Sequence, residues 1–445
     1  MRTDVPEFDK KMGMLCWLTN NDGIYGSVKE RYEDFLVEEV LPDGTILTLE
    51  NPRLKFSGYE GLFTHFVLVK KGIGNFEAVW YLAEKLGVPC GFFFYSGNKD
   101  RDALTVQRMA VWGVSPEELL QLKLPETIKI YSPIRELRRI HIGEHLGNRF
   151  TIFIRKIAEK DTSKLEKLLT EIENIGYLPN FFSYQRFGLL RPISHYVGKL
   201  LLLRRYEDAL RLYLASPALI DDEKMLGIKR MILQGDYRNA IRELPRKGFI
   251  FERILLNELI KRREPKIVWK KVPRFLLRML VEAYQAYLFN LTLSKLLIEN
   301  YDLVKSNPRI PVIGYNVKVQ KIGNTIAKIL HDILNEEHFD LRFFKNEDFP
   351  PLSLKGTLRY ALLRIQFDLR KIIEDSNGHY TCVLRFVLKK GEYATIVLRE
   401  IFKHYTLMAF LSSSFETQAN RILENLEKIQ KFTTSILRGS GCLSQ

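Results

Sequence analysis

Between Phe92 and Gly113 the chain has little conformational choice. Phe92 to Tyr95 is short, apolar and aromatic enough to be a buried strand, and Gly97-Asn98 breaks it with two residues that tolerate unusual backbone angles. From Ala103 the pattern is strand-like again, with Met109 and Val111 alternating against Arg108 and Ala110 until Gly113 closes the run. The stretch Gly97 to Gln107, GNKDRDALTVQ, therefore sets Asp100 at a strand end among basic, small and hydroxyl side chains. A carboxylate between two buried strands is costly to desolvate, so it is expected to be either paired or functional. The competing reading is a solvated hairpin tip, since Asp, Asn and Gly cluster in turns.

A chain of 445 residues can hold two or three domains with sizeable cores. With 46% hydrophobic and 27% charged residues it reads as globular rather than disordered. No apolar run approaches the ~18 residues of a membrane helix, and Asp4, Glu7 and Asp9 stand where a signal peptide would be basic and then apolar. A cytoplasmic protein is expected. Cys16, Cys90, Cys382 and Cys442 are widely spaced without a CxxC pair, which predicts free thiols. His141 and His145 lack the Glu directly after the first His that a zinc-protease helix requires, so no metal is expected. There is no P-loop and no GxGxxG after a strand, hence no expected cofactor.

The net charge of +15 is uneven: Lys199 to Arg278 holds 20 Lys and Arg against 10 Asp and Glu. A polyanion is the natural partner, with solvated helix faces as the alternative. A membrane surface fits less well, because the stretch has no sustained Trp/Phe-versus-Lys amphipathic face.

GNKDRDALTVQ resembles the signature of TruD-type pseudouridine synthases, in which Gly-x-Lys-Asp-(Arg/Lys)-x-Ala-x-Thr-x-Gln carries the catalytic aspartate. Four further stretches resemble elements of that family, in family order. Lys29 to Glu39, KERYEDFLVEE, has Tyr32 where Pro is usual; Gly147 to Arg155, GNRFTIFIR, matches a Gly-Asn-x-Phe element. Leu178 to Gly188, LPNFFSYQRFG, has Ser183 where Gly is usual, and Cys382 to Glu400, CVLRFVLKKGEYATIVLRE, has Lys389 where Pro is usual. Many members carry Asn-Thr before the helix predicted over Phe76 to Leu86, where this chain has Asn75-Phe76. Ala283 to Asn290, AYQAYLFN, resembles a helical element of the family's insertion, and its spacing suits core packing.

The resemblance implies an α/β (α+β) pseudouridine synthase fold: a mixed, mostly antiparallel sheet flanked by helices and interrupted by a mixed, helix-rich insertion domain. The implied divisions are 1–188 and 357–410 for the catalytic domain, 189–356 for the insertion and 411–445 for a C-terminal helical extension. The implied reaction isomerises uridine to pseudouridine, with uridine 13 of tRNA as the leading target, tRNA as partner, a monomer, and no metal or other cofactor. Carried over residue by residue, Asp100 is catalytic and Lys29 pairs with it. Phe35, Asn148, Phe150 and Tyr393 surround the base, and Gln185 and Arg186 touch the RNA. Lys270, Lys271 and Arg274 in the basic stretch are read as backbone contacts. Each has a plainer alternative: core packing for Phe35, a turn for Asn148, a structural Arg on an aromatic ring for Arg186, an ordinary sheet position for Tyr393. The competing class is a non-catalytic RNA-binding protein or RNA chaperone using the same basic surface.

Four expectations concern local structure. An amphipathic helix is predicted over Asp161 to Ile175 with Asp161 or Thr162 as cap. Ser183 puts the expected local backbone angle in question. Short strands are expected over Pro308 to Ile329. A capping box at Ser413 and Glu416 opens a last helix that must pack on the body or on a partner.

Overall fold

The computed structural model describes residues 1–55, 60–299, 303–317, 324–375, 378–415 and 419–438. They group into two compact units, one of Thr19–Leu178 and Leu363–Glu416, the other of Met1–Leu18, Pro179–Leu362 and Thr417–Gln445.

The first unit is built on an eight-stranded sheet. Its strands are β1 (Phe35–Val40), β2 (Phe63–Lys71), β3 (Phe93–Tyr95), β4 (Leu104–Trp112), β5 (Ile128–Glu136) and β6 (Gly147–Ile157). Four short strands follow, β7 (Tyr177–Pro179), β8 (Arg309–Val312), β9 (Thr357–Tyr360) and β10 (Leu362–Arg364), before β11 (Phe367–Glu374) and β12 (Tyr380–Lys389) complete the sheet. The order is β11-β12-β6-β1-β4-β2-β5, with β3 also paired to β4. Only β1 and β4 run parallel; every other pairing is antiparallel. The fold is thus the mixed, mostly antiparallel sheet that the sequence led us to expect, closed by strands that return after a long helical interruption.

Side chains two apart share a sheet face, so the register fixes which residues meet. Phe35, Val37 and Glu39 of β1 lie on one face with Leu68 and Lys70 of β2, Thr105 and Gln107 of β4, Asn148 and Phe150 of β6, and Phe386 of β12. At one end of this face the helix Asn75–Leu86 packs Ala78, Val79, Leu82 and Ala83 on Phe66, Leu68, Met109 and Val111. Each such large apolar side chain stabilises the fold by ~1.5–3 kcal/mol on full burial. Across the sheet, Leu41 and Leu47 cover Val67, Val69 and Val106.

Several motif residues are accounted for by this architecture. A Cβ on Gly147 would lie 2.1 Å from the Leu388 carbonyl oxygen, so only glycine lets β12 close on β6 there. Asp34 accepts from Arg155 Nε at 2.9 Å through both oxygens, which ties the segment before β1 to β6. Tyr32 lays its ring against Gly72. The Lys390-Gly391 turn leads into a helix, Ala394–Phe402. At its end Glu400 Oε1 accepts from the Thr19 amide and hydroxyl, both at 2.7 Å, and lies 3.3 Å from the buried Lys403 ammonium. The amphipathic helix spans Glu159–Ile175 and buries Leu165, Leu168, Leu169 and Ile172, but it begins two residues earlier than predicted. Neither expected residue caps it: Ala158 stands at the N-cap, and Thr162 donates to the Glu159 carbonyl.

The second unit is mainly helical, with a run from Ser194 through Glu243 and a long helix, Arg274–Ile298. The AYQAYLFN element lies in that helix and is core, as its spacing suggested: Tyr284, Phe289 and Asn290 are buried. Asn290 Nδ2 donates to the carbonyls of Met12 and Phe182, both at 2.9 Å, and Tyr184 donates to Asp9 at 2.8 Å, which fastens residues 1–18 into this unit. Ser183 has φ −89° and ψ 170°, an ordinary extended conformation that needs no glycine.

Within Pro308 to Ile329, Arg309–Val312 is a strand paired with β9, while Ile326 and Ile329 belong to a helix, Asn324–Glu336; residues 318–323 lie outside the described residues. Their apolar spacing suits either element, and the contacts decide. The C-terminal helix Ala419–Arg438 packs on this unit: Ile422, Ile429 and Ile436 are buried, and Asn425 Nδ2 donates to the carbonyls of Leu219 and Asp221. The expected capping box cannot be placed, because Glu416 lies outside the described residues. Among the described residues no helix is long and apolar enough to cross a membrane.

Candidate active site

Residues 96–103 connect β3 to β4, and three elements hold this connection. From β1, Glu39 Oε2 lies 2.8 Å from the buried Lys99 ammonium and accepts from Ser96 Oγ at 2.9 Å. From the helix Asn75–Leu86, Asn75 Oδ1 accepts from the Lys99 amide at 3.3 Å, and its Nδ2 donates to the Gly97 carbonyl at 3.4 Å. On the solvent side Arg101 lies 3.4 Å from Glu77. From β2, the buried Lys70 Nζ donates to the carbonyls of Ile73 at 2.8 Å and Asp100 at 2.7 Å. Asp100 is half-buried, between a buried Lys99 and an exposed Arg101. Lys99 and Arg101, on either side of Asp100, pair with Glu39 and Glu77 respectively.

Burial pushes the Lys70 ammonium down to about 8, against an upward pull from Asp100 and a downward one from Lys99. His145, beside Gly97, is also held below the usual histidine range, by burial first and then by the Lys99 charge. The neighbourhood is one in which charge is expensive and each cation has a definite carboxylate or carbonyl partner.

Next to the connection the shared face changes from polar to aromatic. Phe35 meets Phe150 edge-on with centroids 6.0 Å apart, Phe150 stacks on Phe386 at 5.8 Å, and Lys29 Nζ lies 4.2 Å from the centre of the Phe35 ring. Lys29 has φ +62°, a left-handed conformation that is uncommon for a residue with a Cβ and recurs at functional sites. Phe150 is only 6% exposed. Thr105 Oγ1, both polar atoms of the Gln107 amide, Glu39 Oε1 and Asn148 Oδ1 are buried with no hydrogen-bond partner among the described residues. Buried polar atoms are nearly always satisfied, so five such atoms from one face mark a place built for a polar guest.

The structure thus groups Phe35, Asn148 and Phe150 on the sheet face beside the Asp100 connection, and Lys29 over Phe35. Tyr393 is half-buried at the N-terminus of the helix Ala394–Phe402. Gln185 and Arg186 belong to the other unit, where Arg186 lies 3.2 Å from Glu282 and 5.8 Å from the Phe182 ring centre. Lys270, Lys271 and Arg274 are also in that unit and are exposed, with Lys270 over Phe349 at 5.8 Å. Many other cations of the basic stretch are spent on internal pairs, such as Lys229 with Asp221 and Lys199 with Glu337.

Three residues of the site were not singled out by sequence reasoning. Lys70 had a signal: in HFVLVK it stands on the same alternation phase as Phe66 and Leu68, where a cation is out of place unless it has a partner. Glu39 and Asn75 stand in family-like stretches, Lys29 to Glu39 and Asn75-Phe76, but no local pattern names their partners, which are reached only through the folded connection.

A chain of this architecture has a solved counterpart. The crystal structure of a candidate tRNA pseudouridine synthase D (TruD) from Methanosarcina mazei superposes with a TM-score of 0.71 at 27% identity, covering 90% of this chain and 98% of that one. The family model for tRNA pseudouridine synthase D (TruD) matches residues 11–307 and 299–401. The probable tRNA pseudouridine synthase D of Methanococcus vannielii is 35% identical over 86% of this chain and 96% of its own length. The probable tRNA pseudouridine synthase D 1 of Methanocaldococcus jannaschii is 30% identical over 88% and 99%. The chain therefore belongs to the TruD family of tRNA pseudouridine synthases.

Proposed function

We propose that this protein isomerises uridine to pseudouridine in tRNA, at uridine 13, with Asp100 as the catalytic carboxylate and Lys29 as the cation that pairs with it. The observation that supports this most is the placing of Asp100 on a connection held from three sides, beside a face of buried polar atoms without partners and an aromatic row. The reaction needs little else. The N1–C1′ glycosidic bond breaks, the uracil turns, a C5–C1′ bond forms, and the C5 proton is lost as N1 gains one. Thr105, Gln107 and Asn148 offer donors and acceptors to the base edge or ribose, Phe150 and Tyr393 line the base, and Gln185 and Arg186 contact the RNA. Incubating unmodified tRNA with the pure protein is expected to yield pseudouridine at position 13; modification only elsewhere would overturn the choice of target.

Phe150 packs in an aromatic row and is also read as a wall of the base site, so its removal should show both roles. Phe150→Ala is expected to lower the melting temperature, since Phe→Ala in a packed site costs ~3–5 kcal/mol, and to weaken tRNA turnover besides. Phe150→Tyr should be mild in both respects. Thermal melting and single-turnover rates on one preparation separate the roles: a large melting shift with normal turnover would take Phe150 out of the base site.

Lys270, Lys271 and Arg274 are proposed to grip tRNA phosphates. Reversing all three to Glu is expected to weaken every tRNA alike and to lower the salt dependence of binding by roughly two to three in slope, since each phosphate contact contributes about 0.7–0.9. Turnover at saturating tRNA should survive. An unchanged affinity in filter-binding titrations over a salt series would remove these residues from the RNA contact.

A further inference from the structure

The first turn of the helix Asn75–Leu86 holds the Asp100 connection on both sides: Asn75 bonds Gly97 and Lys99, and Glu77 pairs with Arg101. Between those two residues stands Phe76, 74% exposed; one turn on is Trp80, 55% exposed. Residues four apart lie over one another on a helix surface, so the two rings share a face. The helix needs neither ring for its packing on the sheet, which uses Ala78, Val79, Leu82 and Ala83. Among the described residues neither ring stacks on another. Single exposed apolar residues are ordinary, but two large aromatic rings side by side, one of them in the turn that anchors the catalytic connection, call for an occupant.

We propose that Phe76 and Trp80 form a stacking platform for the unstacked nucleotides that flank the target uridine. The proposal rests on the reading that Asp100 marks the reacting position. An enzyme that acts on a base must take it out of its stack, which costs a few kcal/mol and leaves neighbouring bases with open faces. Aromatic side chains recover part of that cost without reading sequence, because every base has a π-face. The platform is continuous with the site: the backbone that carries Phe76 is tied, through its neighbours' side chains, to the residues on both sides of Asp100, by a hydrogen bond to Lys99 and an ion pair to Arg101. The occupant is RNA with unstacked bases, rather than a regular duplex, whose bases expose no faces.

The test uses the full chain and unmodified tRNA. Phe76→Ser and Trp80→Ser are each expected to weaken tRNA binding by roughly 5- to 150-fold, the range that base–aromatic stacking contributes. Melting temperature should stay unchanged, because both rings are exposed. The salt slope should also stay unchanged, because no phosphate contact is lost. Trp80→Phe should bind nearly as wild type while losing much of the tryptophan-fluorescence quenching that tRNA produces, and a perfect duplex should bind all variants alike. Unchanged tRNA affinity in both Ser variants would overturn the platform, as would an affinity loss that tracks a lower salt slope. Self-association of the wild type that the Ser variants abolish would make the face a docking site for protein instead. Failure of the platform and failure of the catalytic reading are distinguishable: a wild type that makes pseudouridine, with Ser variants that bind normally, sinks only the platform. Binding that depends on the two rings in a wild type that makes no pseudouridine leaves the platform standing and sinks the role of Asp100.

Discussion

Asp100→Ala is expected to lower pseudouridine formation by about 10³-fold or more, the scale on which loss of a central catalytic group is felt. Folding and tRNA binding should persist. The carboxylate stands on a connection whose backbone is fixed by other groups: Lys70 holds the Asp100 and Ile73 carbonyls, Asn75 holds Gly97 and Lys99, and Glu39 holds Ser96 and Lys99. Removing a half-buried side chain at such a place costs little packing. Circular dichroism and melting curves should therefore overlay on wild type while single-turnover rates collapse. Turnover above about one part in a thousand would count heavily against the assignment.

Lys70→Met is expected to give the second largest loss, about 10²-fold in kcat with a smaller change in KM, because the residue orders the connection rather than binding RNA. Met fills much of the lysine's volume but leaves the carbonyls of Ile73 and Asp100 without this donor, and displacement of a reacting group by about 1 Å can cost that much in rate. A pH signature accompanies it. The folded-state pKa of Lys70, about 8, lies below the 10.5 of a free lysine, so between those values the unfolded chain binds more protons than the folded one. The Lys70 contribution to stability is thus least favourable below pH 8 and improves by about 3 kcal/mol as pH rises through 8 toward 10.5. Wild type should gain that much relative to Lys70→Met over this window in chemical denaturation. The charged groups that act on the ammonium are Asp100, Lys99, Glu77 and Asp102, so the same comparison in an Asp100→Asn background should show a larger gain. A pH-independent difference between wild type and Lys70→Met would mean that Lys70 is not the titrating group.

Much of the first unit was legible in the sequence, because alternation and register are local properties. The run Phe92 to Gly113 gave β3, β4 and the connection between them. The alternation of HFVLVK marks β2, and that of GNRFTIFIR marks β6 with Asn148 and Phe150 two apart on one face. What escaped depends on chain segments far apart. No local pattern says that Glu39 of β1 meets Lys99, or that Asn75 reaches back to Gly97 from the first residue of a helix. The phase of Lys70 in its strand was visible, but a cation on an inward phase acquires meaning only when its carbonyl partners are known. The cap expected at Asp161 or Thr162 failed for another reason. The helix gains two residues by starting after Ala158, and Thr162 then serves the Glu159 carbonyl from inside it. Charge counting over Lys199 to Arg278 could not say which cations are free: Arg205, Lys229 and Lys261 pair with acids already inside the count, and Lys199 with Glu337 outside it.

Rejoining uracil through C5 must release the hydrogen carried there, so tritium release from tRNA transcribed with [5-³H]uridine reports the isomerisation itself. The measurement should be made with wild type and Asp100→Asn at protein concentrations that bind all the tRNA. The expected result is near-complete release of the label from one uridine per tRNA by wild type and none above background from the fully bound Asp100→Asn complex. Release by Asp100→Asn at the wild-type rate, or none by wild type on bound tRNA, would contradict the assignment of Asp100 and of this chemistry to the chain.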